Sequence, residues 1–354
     1  MVLWAHAPSA TPLALARRLL SRPHADASSM GDGATIVARI TEDLMTNAIH
    51  STPHTPSWLA VAPLLLAFGC EDADKDPAPN EAAQAIQKVY EGALTMQEAQ
   101  ASCRCTLETV RLGGTVFHFG LDLSQSPPAP FPFQSTVAGT QVWIAEAPIT
   151  RRLNIRTNSS GQWAVPIIKL KGRDLPLSLV YERNGYVTTK SQVVVVGEAA
   201  ITDLAMQLPS EAYFALAKAD IEQKIGTLIG QPYALRNIAV TTVGKAWASM
   251  YDATLPHGDP GVMVGINPAV QFPASVGPIY FNEAVAPDPT RTSTSVDGGV
   301  MFGNLPTGDN TVSASKTPFQ YASLTFRVQD GIGLYVASPP HATQGTNPSG
   351  PGLP

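Results

Sequence analysis

Apolar positions recur with two different periods along the chain, and each change of period marks a part. Residues 115–123 alternate: Phe117, Phe119, Leu121 and Leu123 share one face, His118 and Asp122 the other. That period of two predicts a half-buried strand. Alternation returns at Val142/Ile144, Leu153/Ile155, Trp163/Val165/Ile167 and Leu177/Leu179/Tyr181, then in the β-branched run Val193–Val196 and at Leu204/Met206/Leu208. Turn signals fall between, at Asn158-Ser159-Ser160-Gly161 and Asn184-Gly185. Short strands at this spacing predict a β-sandwich over 133–208. A helical period then intervenes at 210–230, with Phe214, Ala217, Ile221, Ile225 and Leu228 on one stripe between Ser210 and Gly230. From Ala234 the β pattern resumes. Candidate strands are Ile238–Val243, Gly261–Ile266, Pro278–Asn282, Arg291–Ser295, Val300–Phe302, Asn310–Ala314 and Tyr321–Val328, a second sandwich over 234–337. Ahead of the first sandwich, a helix over Glu81–Glu91 is capped by Asn80. A second opens at the capping-box spacing of Thr95 and Glu98, runs to about Val110 and stops at Gly113-Gly114. Residues 81–125 are thus a helical segment plus one strand.

The two β regions repeat each other. Ala138-Gly139-Thr140-Gln141-Val142-Trp143-Ile144 parallels Pro260-Gly261-Val262-Met263-Val264-Gly265-Ile266. Each is followed by a polar turn, Arg156–Gly161 or Thr294–Gly298, and then by an aromatic strand residue, Trp163 or Phe302. Asn184-Gly185-Tyr186 matches the segment from Asn304 to Val312 as the third element. This arrangement resembles the carboxypeptidase regulatory-like, or transthyretin-like, β-sandwich. The resemblance implies a mainly β fold: two prealbumin/Ig-like antiparallel β-sandwiches, with short helical segments before and between them. Such modules serve as spacers, stabilisers or binding units, so fold alone does not assign activity.

The third pattern is an uncharged stretch. Between Met45 and Cys70 there is no Lys, Arg, Asp or Glu, and Trp58–Phe68 is an apolar run of eleven residues. A bilayer span needs about 20 residues; this run fits the apolar part of a secretory signal, about 7–15 long. Its end, Ala67-Phe68-Gly69-Cys70, resembles a bacterial lipobox, which implies lipidation of Cys70 and export to the outer membrane, periplasm or cell surface. Residues 45–69 then form the signal peptide. Residues 70–80 hold the lipidated cysteine and an acidic tether. Residues 1–44 are a doubtful extension, disordered or a start-site error with translation beginning at Met30 or Met45. The Pro/Gly/Ser/Thr-rich residues 338–354 read as a disordered tail.

Composition sharpens this. The 354 residues carry a net charge of −5, 14% charged residues, 28 Gly and 31 Pro. That balance favours strands and turns, and the absence of a basic block excludes nucleic acid as a partner. The expected partners are a membrane, through the lipid, and an envelope protein or glycan. Three cysteines are too few for a disulfide framework; Cys103-Arg104-Cys105 is a candidate local bridge or redox pair. His257 and Asp259, on the stiff loop Leu255–Gly261, are the weak catalytic candidates, against the plainer reading of a turn with an Asx-type bond. Trp143, Trp247 and Tyr280 are candidates for stacking on sugar rings. Trp163 falls with the buried set, while Trp143 falls opposite Val142 and Ile144. Asp252, Asp259, Asp288, Asp297 and Asp309 are loop acids without calcium-motif spacing. No metal site and no cofactor is expected.

Overall fold

A computed structural model describes residues 79–126, 128–131, 135–245, 258–283, 285–337 and 343–346. The residues expected as signal peptide, Cys70, residues 71–78 of the expected tether, Trp247 and His257 lie outside them; Pro79 and Asn80 already belong to the first helix, so Asn80 does not cap it. The described chain is mainly β, as the alternation requires.

Two helices lead in, α1 (Pro79–Tyr90) and α2 (Met96–Cys103). The capping box at the start of α2 is present: Thr95 Oγ1 accepts from the Glu98 amide at 3.3 Å, and Glu98 Oε2 accepts from the Thr95 amide at 2.8 Å. The expected run to Val110 is corrected. α2 ends at Arg104, which turns left-handed with φ 53°, and a strand begins three residues later. A disulfide joins Cys103 and Cys105 across this turn, with Cα atoms 5.2 Å apart.

The strand β1 (Leu107–Phe119) is the axis of the first module. It pairs antiparallel with β5 (Gln162–Leu170) and parallel with β10 (Ile201–Pro209). Gly113 and Gly114 therefore lie mid-strand and do not stop a helix. A Cβ on Gly114 would stand 1.8 Å from the Leu204 carbonyl oxygen, and one on Gly113 would stand 2.8 Å from that of Trp163. Close approach by both neighbours demands glycine here. Facing this sheet is a second, of β4 (Gln141–Ile144), β7 (Leu179–Glu182) and β8 (Thr189–Ser191). Leu112, Val116, Val142, Trp163, Leu179 and Met206 meet between them. Closing several such side chains from water contributes about 1.5–3 kcal/mol each.

The helix α3 (Glu211–Ile229) connects the modules, capped by Ser210 and closed by Gly230 at φ 72°. Ile221 and Ile225 enter the core and Phe214 packs against it. Leu228 does not: it is 64% exposed, and Ile229 takes the inward place.

The second module repeats the plan around β11 (Ile238–Lys245). This strand pairs antiparallel with β15 (Gly299–Gly303) and parallel with β19 (Leu334–Val336) and β20 (Thr343–Thr346). β13 (Val276–Phe281) and β14 (Pro287–Asp288) extend it. The facing sheet is β12 (Met263–Asn267), β16 (Gly308–Ser315) and β18 (Leu324–Val328). Residues 291–295, expected as a strand, form a bend in irregular chain instead. β19 also pairs parallel with β8 of the first module, so one ten-stranded sheet crosses from module to module. The sheets are consequently mixed, where the resemblance had implied antiparallel sandwiches.

Candidate functional site

The repeat holds bond for bond. The Val116 amide donates to Gly161 O at 2.9 Å, and the Val243 amide to Gly298 O at 2.9 Å. Val137 N bonds Val116 O as Asp259 N bonds Val243 O, both at 2.9 Å. Thr157 Oγ1 accepts from Thr140 N and donates to Val137 O; Thr294 Oγ1 accepts from Val262 N and donates to Asp259 O. Gly139 and Gly261, at φ 75° and 78°, begin the same turn, a left-handed conformation that favours glycine.

These bonds correct two sequence pairings. Trp163 corresponds to Val300, since they lie opposite Gly114 and Thr241 on equivalent axes; Phe302 sits two residues further on. The third element, Asn184-Gly185-Tyr186, corresponds to Thr317-Pro318-Phe319 and not to the segment from Asn304. Tyr186 N donates to Arg183 O, as Phe319 N donates to Lys316 O. In both turns a cation lies over the aromatic ring, Arg183 over Tyr186 and Lys316 over Phe319, each 5.4 Å from the centroid.

So each module carries one cationic, aromatic corner at the same place. In the second module the corner is closed. Asp259, 5% exposed, accepts from Lys316 Nζ at 2.6 Å on one oxygen and from the Tyr321 hydroxyl at 2.7 Å on the other. Burial, then the bond to Asp259 and its charge, raise the Tyr321 hydroxyl above its ordinary range. Nearby Asp297, 9% exposed, accepts from the Gly299 amide at 3.1 Å, and burial pushes its carboxyl up to about 8.

In the first module the corner lacks the acid. The residue in the place of Asp259 is Val137. The Arg183 guanidinium has no carboxylate partner among the described residues, and its Nη1 is buried without a hydrogen bond. Beside it, His118 Nδ1 lies 2.9 Å from the Tyr186 hydroxyl, and the His118 ring stacks on Phe131 at 4.3 Å. His118, Phe131, Arg183 and Tyr186 are all half-buried. Burial first, and the Arg183 charge second, hold His118 below its usual imidazole range, with Asp122 opposing. The sequence reading missed Arg183. The signal that finds it is the pairing of Val137 with Asp259 and of Arg183 with Lys316.

The other candidates are placed elsewhere. Trp143 is 9% exposed, with Arg151 5.9 Å over its ring; the 3-10 turn Pro148–Leu153 covers the face that alternation had left outward. Tyr280 is 3% exposed and its hydroxyl accepts from the Val264 amide, so neither ring offers a face to a sugar. Cys103 is buried and Cys105 half-buried within their bridge. The described loop acids are dispersed: Asp288 holds Thr290, Asp309 holds Arg327, and Asp259 holds Lys316. No group of three His, Cys, Asp or Glu converges among the described residues.

A polar clamp secures the sheet where the modules join. Arg327 bonds Glu146 at 3.1 Å and Asp309 at 2.8 Å, while Glu146 also accepts from the Ser178 amide. Lys190, 1% exposed, donates to Gln329 at 2.6 Å, and burial lowers its ammonium below the usual lysine range. The Val193 amide donates to Thr325 O at 2.7 Å.

Fold and corners together define a class: a mainly β protein of two fused β-sandwich modules. No family model matches the chain, and no curated protein is similar to it in sequence. Among solved structures, the Bacillus anthracis TIE protein is similar at 10% identity and a TM-score of 0.18 over 65% of this chain, which spans 33% of that protein. The shaft pilin SpaA of Lactobacillus rhamnosus GG is similar at 10% identity and a TM-score of 0.19, over 70% of this chain and 100% of the pilin. At these values the likeness does not reach function.

Proposed function

We propose that the protein is exported to the cell envelope, anchored by lipid on Cys70, and has a structural or interaction role carried by two carboxypeptidase regulatory-like modules. The observation that carries the structural role is the joint. Domains in one chain ordinarily meet through small polar interfaces and move against each other. Here a continuous backbone ladder, β11·β19·β8, crosses between the modules, and the Arg327–Glu146–Asp309 clamp lies beside it. A ladder with a polar clamp beside it holds one relative orientation, which suits a spacer or an assembly subunit. The partner on this reading is an envelope protein or glycan near the membrane surface.

The hydrolase reading has little to stand on. Asp259 is 5% exposed and both its oxygens are engaged, by Lys316 and Tyr321, as a structural ion pair is. Intact mass and N-terminal analysis of the protein from its native membranes tests the anchor. A chain beginning at an acylated Cys70 is expected; a chain that retains residues 58–68 refutes it.

A further inference from the structure

We propose that Asn184 is a modification site: the Gly185 amide nitrogen attacks its side chain, and the corner of the first module acquires an aspartate or isoaspartate with loss of ammonia. The inference is independent of the lipid anchor and stands or falls without it.

Asparagine followed by glycine is the pair in which this ring closure meets least hindrance, because glycine puts no Cβ beside the attacking nitrogen. Asn184-Gly185 is the one such pair in the chain. The fold leaves it free to react. Both residues are exposed at the tip of the turn between β7 and β8. The Tyr186 amide closes this turn by donating to Arg183 O at 3.1 Å, and the Gly185 carbonyl accepts from the Glu211 amide at 3.0 Å. The Gly185 N–H donates to nothing among the described residues, and the Asn184 side chain bonds none of them. A Cβ on Gly185 would meet no atom within 4 Å, so water has access on that side.

Other asparagines are held or blocked. Asn158 is also exposed in a turn, but its Oδ1 accepts from the Ser160 and Gln162 amides at 3.0 and 2.9 Å, which fixes the side chain. Asn267 precedes Pro268, which has no N–H to lose. The repeat gives the same contrast. Gly185 corresponds to Pro318 in the matching turn of the second module, and that turn cannot react.

The step needs no co-reactant other than water. The Gly185 nitrogen loses its proton and forms a bond to Asn184 Cγ; the Cγ–Nδ2 bond breaks, and ammonia leaves with that proton. The succinimide ring so formed takes up one water. Opening at Cγ gives aspartate. Opening at the main-chain carbonyl gives isoaspartate, with one more carbon in the backbone. Either product carries a carboxylate on the residue next to Arg183, whose guanidinium lies 5.4 Å from the Tyr186 centroid and has no carboxylate partner among the described residues. A cation beside the turn also favours the anionic nitrogen that attacks.

The test is incubation of the folded full chain at physiological temperature, in mildly acidic and mildly alkaline buffers made with oxygen-18 water. Brief acidic digestion and mass mapping follow. One heavy oxygen is expected in the peptide that carries residue 184, with isoaspartate and aspartate both present and a faster rate at the alkaline pH. The rate is expected to exceed that at Asn158 by about tenfold or more. Asn184→Gln, whose ring would be one atom larger, is expected to take up no heavy oxygen over the same period, read with the backbone amide spectrum of the folded protein in place. No heavy oxygen at residue 184, an equal rate at Asn158, aspartate without isoaspartate, or uptake by a folded Asn184→Gln protein at the parent rate overturns the proposal.

Discussion

The two corners differ in the residue that faces the cation, Val137 or Asp259, and that difference divides an unpaired from a paired charge. In the second module Asp259 faces Lys316 and Tyr321, and the corner is an internal ion pair. In the first, Val137 faces into the core at 1% exposure and Arg183 is left over. A buried ion pair that is complete contributes little net stability, yet breaking it from one side costs several kcal/mol. An unpartnered guanidinium at a half-exposed corner contributes little to folding, so its substitution is cheap. The comparison teaches that a repeated scaffold can hold a cation at the same place with or without an internal acid, and that the residue opposite decides which.

The largest effect that sharpens this contrast lies beside the closed corner. Asp297 corresponds to exposed Ser160 of the first module, but it is buried and keeps its proton up to about 8, against an ordinary 3.8. Between those values the unfolded chain releases a proton that the folded chain retains. Stability from this group is therefore fully present below about 4, falls as pH rises, and is lost above about 8. Asp297→Asn is expected to leave stability at pH 4 unchanged and to raise it at pH 8 by up to a few kcal/mol, measured by urea unfolding at both values. A variant with the parent slope against pH would remove Asp297 as the titrating group.

Next in size is Asp259→Ala, which strands Lys316 and the Tyr321 hydroxyl. A loss of about 2–4 kcal/mol is expected, against less than about 0.5 kcal/mol would mean that the pair is solvent-screened and the corners are alike. The pair can also be transplanted. Val137→Asp places the acid of the closed corner opposite Arg183. It is expected to destabilise a core valine site, but by about 1 kcal/mol less with Arg183 present than in Arg183→Ala. A double-mutant cycle without coupling would show that the two corners are equivalent in bonds but not in side-chain geometry. The smallest effect is Arg183→Gln alone, within about 0.5 kcal/mol of the parent. A larger loss would make Arg183 structural, and the two corners one device.

Much of the framework was legible along the chain. The Thr95/Glu98 spacing announced a cap because both partners lie within one turn. Gly139 and Gly261 announced matching turns because a left-handed residue leaves a glycine in the sequence. Ser210 and Gly230 bounded α3 for the same local reasons. What misled was of another kind. Gly113-Gly114 looks like a helix stop, and its actual cause is the approach of β5 and β10, contributed by residues some 50 and 90 positions away. Trp143 obeys the alternation of its strand, and the 3-10 turn that covers it lies outside that strand's period.

By itself, then, the sequence determined the mainly β class, the repeat, the turns and the helix ends, because propensity, capping and period are written in neighbouring residues. Only the tertiary structure decided that the two modules share one sheet through β8 and β19, that Asp259 is occupied, and that Arg183 is not. The physical reason is range. A strand carries the same alternation whichever strand it pairs with, and a charge reads the same in sequence whether or not the fold brings an opposite charge to meet it.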